Sequence, residues 1–356
     1  MESIYYSITW VCHRRCVHCY EARFRPYVRD ELKAVVGESL AAWPKVVANL
    51  PARMVYRDLA DPLPEGGYRE KVGRIVLSGG EVLHKAVRAP ILYPILEALQ
   101  AKYGSGGAKV VVQTTGDLLT ETIVGELMAR GVWMISVAGM DDFHVGMEGD
   151  KRVALEARLT RWFERAGMRR SGLSAGTRAW HDEDGPLYSF FGATEDAWIG
   201  KIWPRGRAWE NDLSRAQITD NFCNAWSGGL NFLNYGFSGS EVAVDADGNV
   251  YPCCMKTKLP IGNLTEESLA EIIDDLAGHP VYEAISAGRP ERMGLAHGWS
   301  MERFLAACET VTPGGRPYRN LCIGCDRFHE EVLAPVISAR RAARRAAREA
   351  QRIAAQ

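Results

Sequence analysis

The first part of the chain alternates short apolar runs with longer segments of helical composition. Apolar, β-branched and aromatic runs predict strands at residues 4–11, 74–77, 109–113 and 133–137. Helices are predicted behind them at residues 30–50, 91–103, 119–130 and 151–166. Two weaker strands are predicted at residues 172–180 and 197–203. Repeated strand-then-helix units predict a parallel sheet with helices outside, and six units in about 210 residues predict a partial (β/α)6 TIM-like barrel.

Polar sequence features follow the first four predicted strands at the points where they end. In folds of this class the active site lies at the carboxyl ends of the strands. We therefore expect the four features to meet on one rim of the sheet. The features are Cys12, the run Ser78-Gly79-Gly80-Glu81, the run Thr114-Thr115-Gly116-Asp117 and the run Gly139-Met140-Asp141-Asp142.

The later part of the chain has a different pattern. An Asp-Gly turn within residues 245–253 separates two apolar runs and predicts a β-hairpin. The tail after residue 331 is rich in alanine and arginine and predicts a basic helix. We expect a barrel at residues 1–220, a small α+β cluster-binding domain at 221–330 and a C-terminal helix at 331–356, the whole forming an α/β protein.

Composition narrows the class of protein. The 356 residues carry 43 basic and 44 acidic side chains, a net charge of −1, so nothing global indicates nucleic acid or an anionic membrane as a partner. No apolar run approaches the length of a membrane span, and no signal peptide is evident. We therefore expect a cytoplasmic protein in a reducing compartment. Its nine cysteines are then better explained as metal ligands or redox groups than as disulfides.

The first cysteine group has the spacing of a compact metal site. Cys12, Cys16 and Cys19 supply three thiolates in a CxxxCxxC arrangement. A [4Fe–4S] cluster normally takes four cysteines, so three leave one iron open to a ligand from outside the protein. A zinc site with His13 or His18 as a fourth ligand is the alternative from the motif alone.

The run Cys12-His-Arg-Arg-Cys16-Val-His-Cys19-Tyr resembles the signature loop of the radical S-adenosylmethionine (radical SAM) superfamily. The resemblance implies that a [4Fe–4S] cluster binds S-adenosylmethionine (SAM) through its open iron. Reductive cleavage of SAM then gives a 5′-deoxyadenosyl radical that abstracts hydrogen from a substrate.

Other rim residues match positions that contact SAM in that superfamily. Ser78-Gly79-Gly80-Glu81 resembles the GGE motif, in which the carboxylate corresponding to Glu81 meets the methionine ammonium. The resemblance places His18 near the adenine, and Thr115 and Ser136 near the ribose or carboxylate. The superfamily often has Asn before the glycine of the third-strand motif, where this chain has Thr115.

The C-terminal cysteines resemble those of the SPASM and twitch domains of this superfamily. Gly248 stands five residues before Cys253, as in their GxxxxC motif, and a CxxC pair follows later in the chain. The resemblance implies one auxiliary [4Fe–4S] cluster in a shortened, twitch-like domain. Cys254 and Cys308 are left unassigned, either could replace a ligand, and a structural zinc is the alternative. The implied ligands are Cys223, Cys253, Cys322 and Cys325.

The sequence says less about the substrate than about the cofactors. Residues beyond the strand ends give Asp141, His144, Arg178 and Arg207 as catalytic candidates. We expect an oxidoreductase acting on a small molecule, with the auxiliary cluster accepting an electron and a donor such as flavodoxin or ferredoxin reducing the first cluster. The alternatives are a maturase of a ribosomal peptide or protein side chain, and a non-enzymatic iron–sulfur or zinc module. The first cluster motif at residue 12 leaves no room for an N-terminal leader-binding domain.

Overall fold

A computed structural model of the protein describes residues 1–172, 182–193, 202–223 and 231–354. Its strands are β1 Ser3–Ser7, β2 Val55–Pro62, β3 Tyr68–Val72, β4 Arg74–Ser78, β5 Lys109–Thr114, β6 Met134–Val137, β7 Arg169–Arg170, β8 Leu187–Phe190, β9 Glu241–Val244, β10 Asn249–Tyr251, β11 Gly262–Asn263, β12 Glu309–Val311 and β13 Pro317–Arg319. Its α-helices are α1 Arg29–Asn49, α2 Lys85–Val87, α3 Tyr93–Tyr103, α4 Glu121–Met128, α5 Asp150–Arg165, α6 Gly206–Glu210, α7 Leu269–Leu276, α8 Pro280–Ser286, α9 Met301–Ala307, α10 Leu321–Phe328 and α11 Ala334–Ala354.

One nine-stranded sheet organises the molecule, in the order β11-β10-β9-β1-β4-β5-β6-β8-β7. The strands from β9 to β7 in that order pair in parallel, and β10 and β11 add an antiparallel end. The inner strands are short and apolar, as expected for a sheet covered on both faces, and Ile4, Ile75 and Ile135 are fully buried. The predicted α/β fold with a parallel sheet is confirmed.

The predicted units of the first part match this sheet closely. The first four predicted strands are β1, β4, β5 and β6, and the predicted helices behind them are α1, α3, α4 and α5. Almost all of the predicted strand at 172–180 and most of that at 197–203 lie outside the described residues. The strand beside β6 is instead β8, and the antiparallel hairpin of β2 and β3 was not predicted.

The later part of the chain joins the same sheet. Strand β9 pairs in parallel with β1, and the predicted hairpin follows as β9 and β10. Gly248 closes its turn with φ +82°, a conformation that favours glycine. Helix α7 begins after a capping box formed by Ser268 and Glu271. The domain boundaries near residues 220 and 330 stay a prediction.

Helix α11 packs one face against the cluster-binding part of the chain. Arg344 is buried and donates to both oxygens of Glu267, at 2.7 and 3.2 Å, and to Asp275 at 2.6 Å. Ile337 is 4% exposed. The basic helix is therefore anchored by ion pairs along one face. Within the described ranges, no helix combines the length and apolar content that a membrane span requires.

Candidate active site

A central cavity of about 220 Å³ opens at the carboxyl ends of β1, β4 and β5. Its wall contains residues from the first three predicted rim features. No residue of the fourth feature, residues 139–142, lines it, although His144 just beyond that feature does. The lining includes Tyr5, Cys12, Arg14, Cys16, His18, Cys19, Tyr20, Ser78, Gly79, Gly80, Thr114, Thr115, His144, Trp203 and Arg207.

The loop that carries the first three cysteines is closed by backbone contacts and by one arginine. The Cys12 N–H donates to Arg25 O at 3.0 Å, which joins the two ends of the loop. Arg207, 6% exposed, donates to the carbonyl oxygens of Cys16, Ala22 and Phe24 at 2.8 to 2.9 Å. The guanidinium is thus committed to the shape of the loop, which is a positioning role, although Arg207 was predicted as catalytic.

Two glycines let the end of β4 approach the start of this loop. A Cβ atom on Gly79 would lie 2.6 Å from Thr9 O, and one on Gly80 would lie 2.3 Å from Val11 O. Gly79 also has φ +144°. The Gly80 N–H donates to Thr9 O at 3.1 Å. Glycine is required here because the strand end lies against the chain's own backbone.

Glu81 is buried beneath the cavity and holds the end of β5. Its Oε1 accepts from Thr114 Oγ1 at 2.7 Å and from the Leu83 N–H at 3.0 Å. Its Oε2 accepts from the Thr115 N–H at 2.9 Å and lies 2.8 Å from Thr115 Oγ1, whose one hydroxyl hydrogen is shared with Asp117. Both carboxylate oxygens are thus held by hydrogen bonds from the chain, and Glu81 does not line the cavity. The geometry gives Glu81 a positioning role where contact with an ammonium was predicted.

Asp117 anchors two side chains of the cysteine loop. Its Oδ2 lies 2.7 Å from both His13 Nε2 and Arg14 Nη2, and its Oδ1 accepts from Thr115 Oγ1 at 2.5 Å. Burial alone would raise the pKa of Asp117, but the hydrogen bonds from His13, Thr115 and Arg14 outweigh it and lower that pKa. Asp117 is therefore ionised at neutral pH.

Asp141 and His144 form a hydrogen-bonded pair, of which His144 lines the cavity. His144 Nδ1 lies 2.8 Å from Asp141 Oδ1, and the same carboxylate accepts the His144 N–H at 2.9 Å. Burial alone would raise the pKa of Asp141, but the hydrogen bond from His144 and that from the Ala193 N–H lower it. The ionised carboxylate keeps the proton on Nδ1, so Nε2 is the nitrogen that can accept one.

The ring of His18 lies against this pair. Its centroid is 4.5 Å from that of His144 and 5.6 Å from that of Phe143. Burial, and next the neighbouring His144, lower the pKa of His18 to about 4. His18 is therefore a neutral ring in the wall of the cavity at neutral pH.

Ser136 is a predicted site residue that the fold does not bring to the cavity. Ser136 is buried, its hydroxyl lies 2.9 Å from the Ser189 hydroxyl, and it is absent from the cavity lining. Arg178 lies outside the described residues. Ser78 lines the cavity, and its hydroxyl lies 2.8 Å from the Tyr5 hydroxyl.

A second cavity gathers the C-terminal cysteines. Its wall contains all four predicted ligands together with the adjacent Cys254, and its further lining includes Trp203, Arg205, Phe222 and Met255. Cys308 lies elsewhere, because its Sγ contacts Phe304 O at 3.2 Å and packs against Gly324 on α10. The lining therefore keeps Cys254 as a candidate ligand and argues against Cys308.

The chemistry of both cysteine sets fits iron–sulfur clusters. Burial raises the pKa of Cys12 to about 12 and that of Cys253 to about 12, and neighbouring cysteines add to both rises. Thiols grouped in this way lose their protons when a cationic metal centre compensates the negative charge. Beside the second cavity, the Arg205 guanidinium works against the rise at Cys253, Cys322 and Cys325.

A comparison with known protein families supports an iron–sulfur site in the second cavity. Residues 237–297 match the SPASM family, described as an iron–sulfur cluster-binding domain. The match supports the predicted SPASM- or twitch-type domain, and it favours iron–sulfur over zinc in the C-terminal part. The assignment of the whole chain to the radical SAM superfamily stays a prediction.

Solved structures with a similar fold have low sequence identity to this chain. One is BtrN in complex with AdoMet and 2-DOIA, with a TM-score of 0.43 and 14% identity over 81% of this chain and 88% of that chain. Another is anSMEcpe with bound AdoMet, with a TM-score of 0.42 and 14% identity over 95% of this chain and 94% of that chain. A third is SuiB from Streptococcus suis bound to precursor peptide SuiA, with a TM-score of 0.40 and 12% identity over 84% and 74%. No curated protein sequence matches the chain.

Arg14 was not predicted as a site residue. Asp117 was named only as the last residue of the third rim feature, without a role of its own. The two residues are far apart in the chain and meet only because β5 lies beside β4 and the cysteine loop crosses that edge. A signal for Arg14 was present, since it lies inside the CxxxCxxC spacing.

Proposed function

We propose that this protein is a radical SAM enzyme that oxidises an alcohol group of a small molecule. The observation that carries the proposal is the Asp141–His144 pair, which opens on the same cavity as Cys12, Cys16 and Cys19. Removal of hydrogen from an alcohol requires a site for hydrogen-atom abstraction and a base for the hydroxyl proton. His144 Nε2 supplies that base, and Asp141 holds its ring.

The cofactors would be held by residues that already face the two cavities. We assign the first [4Fe–4S] cluster to Cys12, Cys16 and Cys19. The auxiliary cluster is assigned to the four predicted ligands of the second cavity, Cys223, Cys253, Cys322 and Cys325. When bound, the first cluster and SAM supply a 5′-deoxyadenosyl radical that takes a carbon-bound hydrogen, and the auxiliary cluster supplies an electron acceptor.

The chain's own residues then have separate tasks. Arg207 holds the backbone of the cysteine loop, and Glu81 holds Thr114 and Thr115 at the cavity edge. His144 takes the hydroxyl proton as the carbon–oxygen double bond forms. One hydrogen atom, one proton and one electron thus leave the substrate, which balances a two-electron oxidation of an alcohol to a carbonyl.

The test uses the anaerobically reconstituted, dithionite-reduced enzyme with SAM and a panel of alcohols deuterated at the carbinol carbon. Mass spectrometry should find deuterium in 5′-deoxyadenosine and a carbonyl product for the true substrate. H144Q should still cleave SAM but lose carbonyl product by about 100-fold or more, the usual contribution of a general base. D142N is the matched control, because Asp142 is exposed and pairs only with Arg152 among the described residues.

Two outcomes would contradict this function. H144Q could form the carbonyl product at the wild-type rate, which would remove the base from the proposal. Deuterium could instead enter 5′-deoxyadenosine only from a labelled peptide, which would establish the maturase alternative.

A further inference from the structure

The second cavity, which gathers the C-terminal cysteines, has one fixed cation in its wall. Apart from the cysteines, the wall consists of neutral side chains and Arg205, the only charged residue there within the described ranges. The Arg205 side chain is 15% exposed. Little water lies close enough to screen its charge, so the charge acts more strongly inside the cavity than it would at the surface.

The backbone and one ion pair fix Arg205 in this place. Its N–H donates to Trp203 O at 2.9 Å, and its carbonyl oxygen accepts from the Trp209 N–H at 3.2 Å at the start of α6. Its guanidinium pairs with Asp326, which follows Cys325 in the chain. Turning the guanidinium away from the cavity would therefore break a partly buried ion pair.

Asp326 does not place a compensating charge in the second cavity. Arg205 lines both this cavity and a neighbouring groove, whereas Asp326 lines only the groove. The neighbouring groove is the surface that also contains Glu21, Lys256 and Lys258. The positive end of the Arg205–Asp326 pair is thus the end that faces the cysteines.

The cysteines respond to this charge. Burial raises the pKa of three of them, and the Arg205 guanidinium acts against that rise at Cys253, Cys322 and Cys325. Glu241 acts in the opposite direction on Cys253, but it does not line the cavity. Arg205 therefore favours negative charge in the second cavity.

Reduction of a [4Fe–4S] cluster adds one negative charge to the site that holds it. The reduction potential of such a cluster depends on the net charge around it and on its exposure to solvent. A cation that is in place before the electron arrives stabilises the reduced form more than the oxidised form.

We infer that Arg205 raises the reduction potential of the auxiliary cluster and thereby makes that cluster an electron acceptor. The inference rests on the proposed function for the presence of the cluster. The electron taken up is the one that leaves the substrate as the carbonyl forms, so this step needs no further oxidant. Arg205 acts through the cluster and is a positioning residue.

An anaerobic redox titration followed by electron paramagnetic resonance measures this potential without substrate. It is run on the full chain with both clusters, and again with Cys12, Cys16 and Cys19 replaced by alanine to isolate the auxiliary cluster. R205Q should lower the ratio of reduced to oxidised auxiliary cluster by about tenfold at a fixed potential, which corresponds to about 59 mV for one electron. R205K keeps the charge and should keep most of the potential.

Two neighbouring variants make the result specific. K258Q is the matched control, because Lys258 is 47% exposed, pairs with Glu330 and lines only the neighbouring groove. It removes the same charge from a solvated position and should change the ratio by less than about twofold. D326N removes the opposing charge and should raise the ratio. If R205Q retains less iron, the comparison of D326N with K258Q decides.

The inference is overturned if R205Q has the wild-type potential, if R205K falls as far as R205Q, or if D326N behaves like K258Q. A second site that holds no iron would overturn it as well, and would also remove the electron acceptor from the proposed function. Failure to oxidise any alcohol, with the shift in potential present, would contradict the proposed function alone.

Discussion

At the residue scale, His329 is a polar side chain in a buried, apolar environment. It is fully buried in the turn between α10 and α11, and neither ring nitrogen has a hydrogen-bond partner among the described residues. Burial, and next the positive charge of Arg205, lower its pKa to about 4. The folded protein therefore keeps His329 neutral where an unfolded chain would begin to protonate it.

This gives a prediction for stability against pH. Because the folded pKa of about 4 lies below the ordinary value of about 6.5, the unfolded chain binds more protons between those pH values. The free energy of unfolding should fall as pH drops from 6.5 toward 4, by about 1 kcal/mol at pH 5.5 from His329 alone. Urea unfolding of the wild type and H329L at pH 7.5 and 5.5 measures the effect.

H329L should lose this part of the pH dependence and be no less stable at pH 7.5, because it removes a buried polar group that has no partner. H297L is a useful control, since His297 lies nearby but is partly exposed. An identical slope of unfolding free energy with pH in H329L and the wild type would contradict the prediction.

Residues whose role depends on short-range spacing could be predicted from the sequence. Cys12, Cys16 and Cys19 lie within one loop, and Gly79 and Gly80 stand together where β4 ends. The tasks of Arg14 and Arg207 could not be predicted, because each depends on groups that lie far away along the chain. Arg207 was predicted as a catalytic residue and Arg14 was not predicted as a site residue, because only the fold shows which groups each arginine contacts.

At the element scale, α11 shows what composition leaves open. An alanine- and arginine-rich segment predicts a helix but does not say which face is covered. Arg344 meets Glu267 and Asp275 from the α7 region and also donates to Ile261 O at 2.7 Å. The helix is thus held by a charged cluster, and four of its arginines pair with acidic groups of that region.

R344A should therefore destabilise the protein by about 3 kcal/mol, the usual cost of removing one partner from a buried ion pair. Glu267 is 3% exposed and would keep only Arg348 as an ion-pair partner among the described residues, with the Asn263 N–H as a neutral donor at 3.4 Å. The free energy of urea unfolding is the measurement. R352A, at an exposed pair with Glu349, should cost about 0.5 kcal/mol or less. Equal losses in the two variants would contradict the account.

Elements that were missed have a common physical reason. The hairpin of β2 and β3 is largely exposed and polar, so it lacks the apolar periodicity that marks a covered strand. Strand β8 is only four residues long and stands between segments that the pattern assigned to neighbouring strands. The buried strands β4, β5 and β6 were predicted because their apolar composition is typical of strands that are covered on both faces.

At the scale of the whole molecule, the two cysteine sites are tied together. Trp203 lines both cavities, and its ring lies 4.9 Å from that of Tyr20. The hairpin that leads to the second site also supports the cysteine loop, since Asp247 accepts from Trp10 Nε1 at 2.9 Å and from Arg23 Nη1 at 3.1 Å. The two cysteine sites are therefore connected by shared structural residues but have separate cysteine ligands.

Separate ligands predict separable clusters. Wild-type protein reconstituted anaerobically should bind about eight iron atoms per chain, four for each [4Fe–4S] cluster. Replacing Cys322 and Cys325 by alanine should leave about four, with the electron paramagnetic resonance signal of the first cluster still perturbed by SAM. Replacing Cys12, Cys16 and Cys19 should also leave about four, without any response to SAM.

Two single variants refine the ligand set. C308A should keep the full iron content, because Cys308 Sγ donates to the Phe304 carbonyl oxygen on α9 and does not line the second cavity. C254A decides whether the fifth cysteine of the second cavity is a ligand, and it should keep full iron if Cys253 is the ligand from that pair. Zinc in place of iron at the second site would contradict the auxiliary cluster, because a four-cysteine zinc site is redox-inactive and cannot accept an electron.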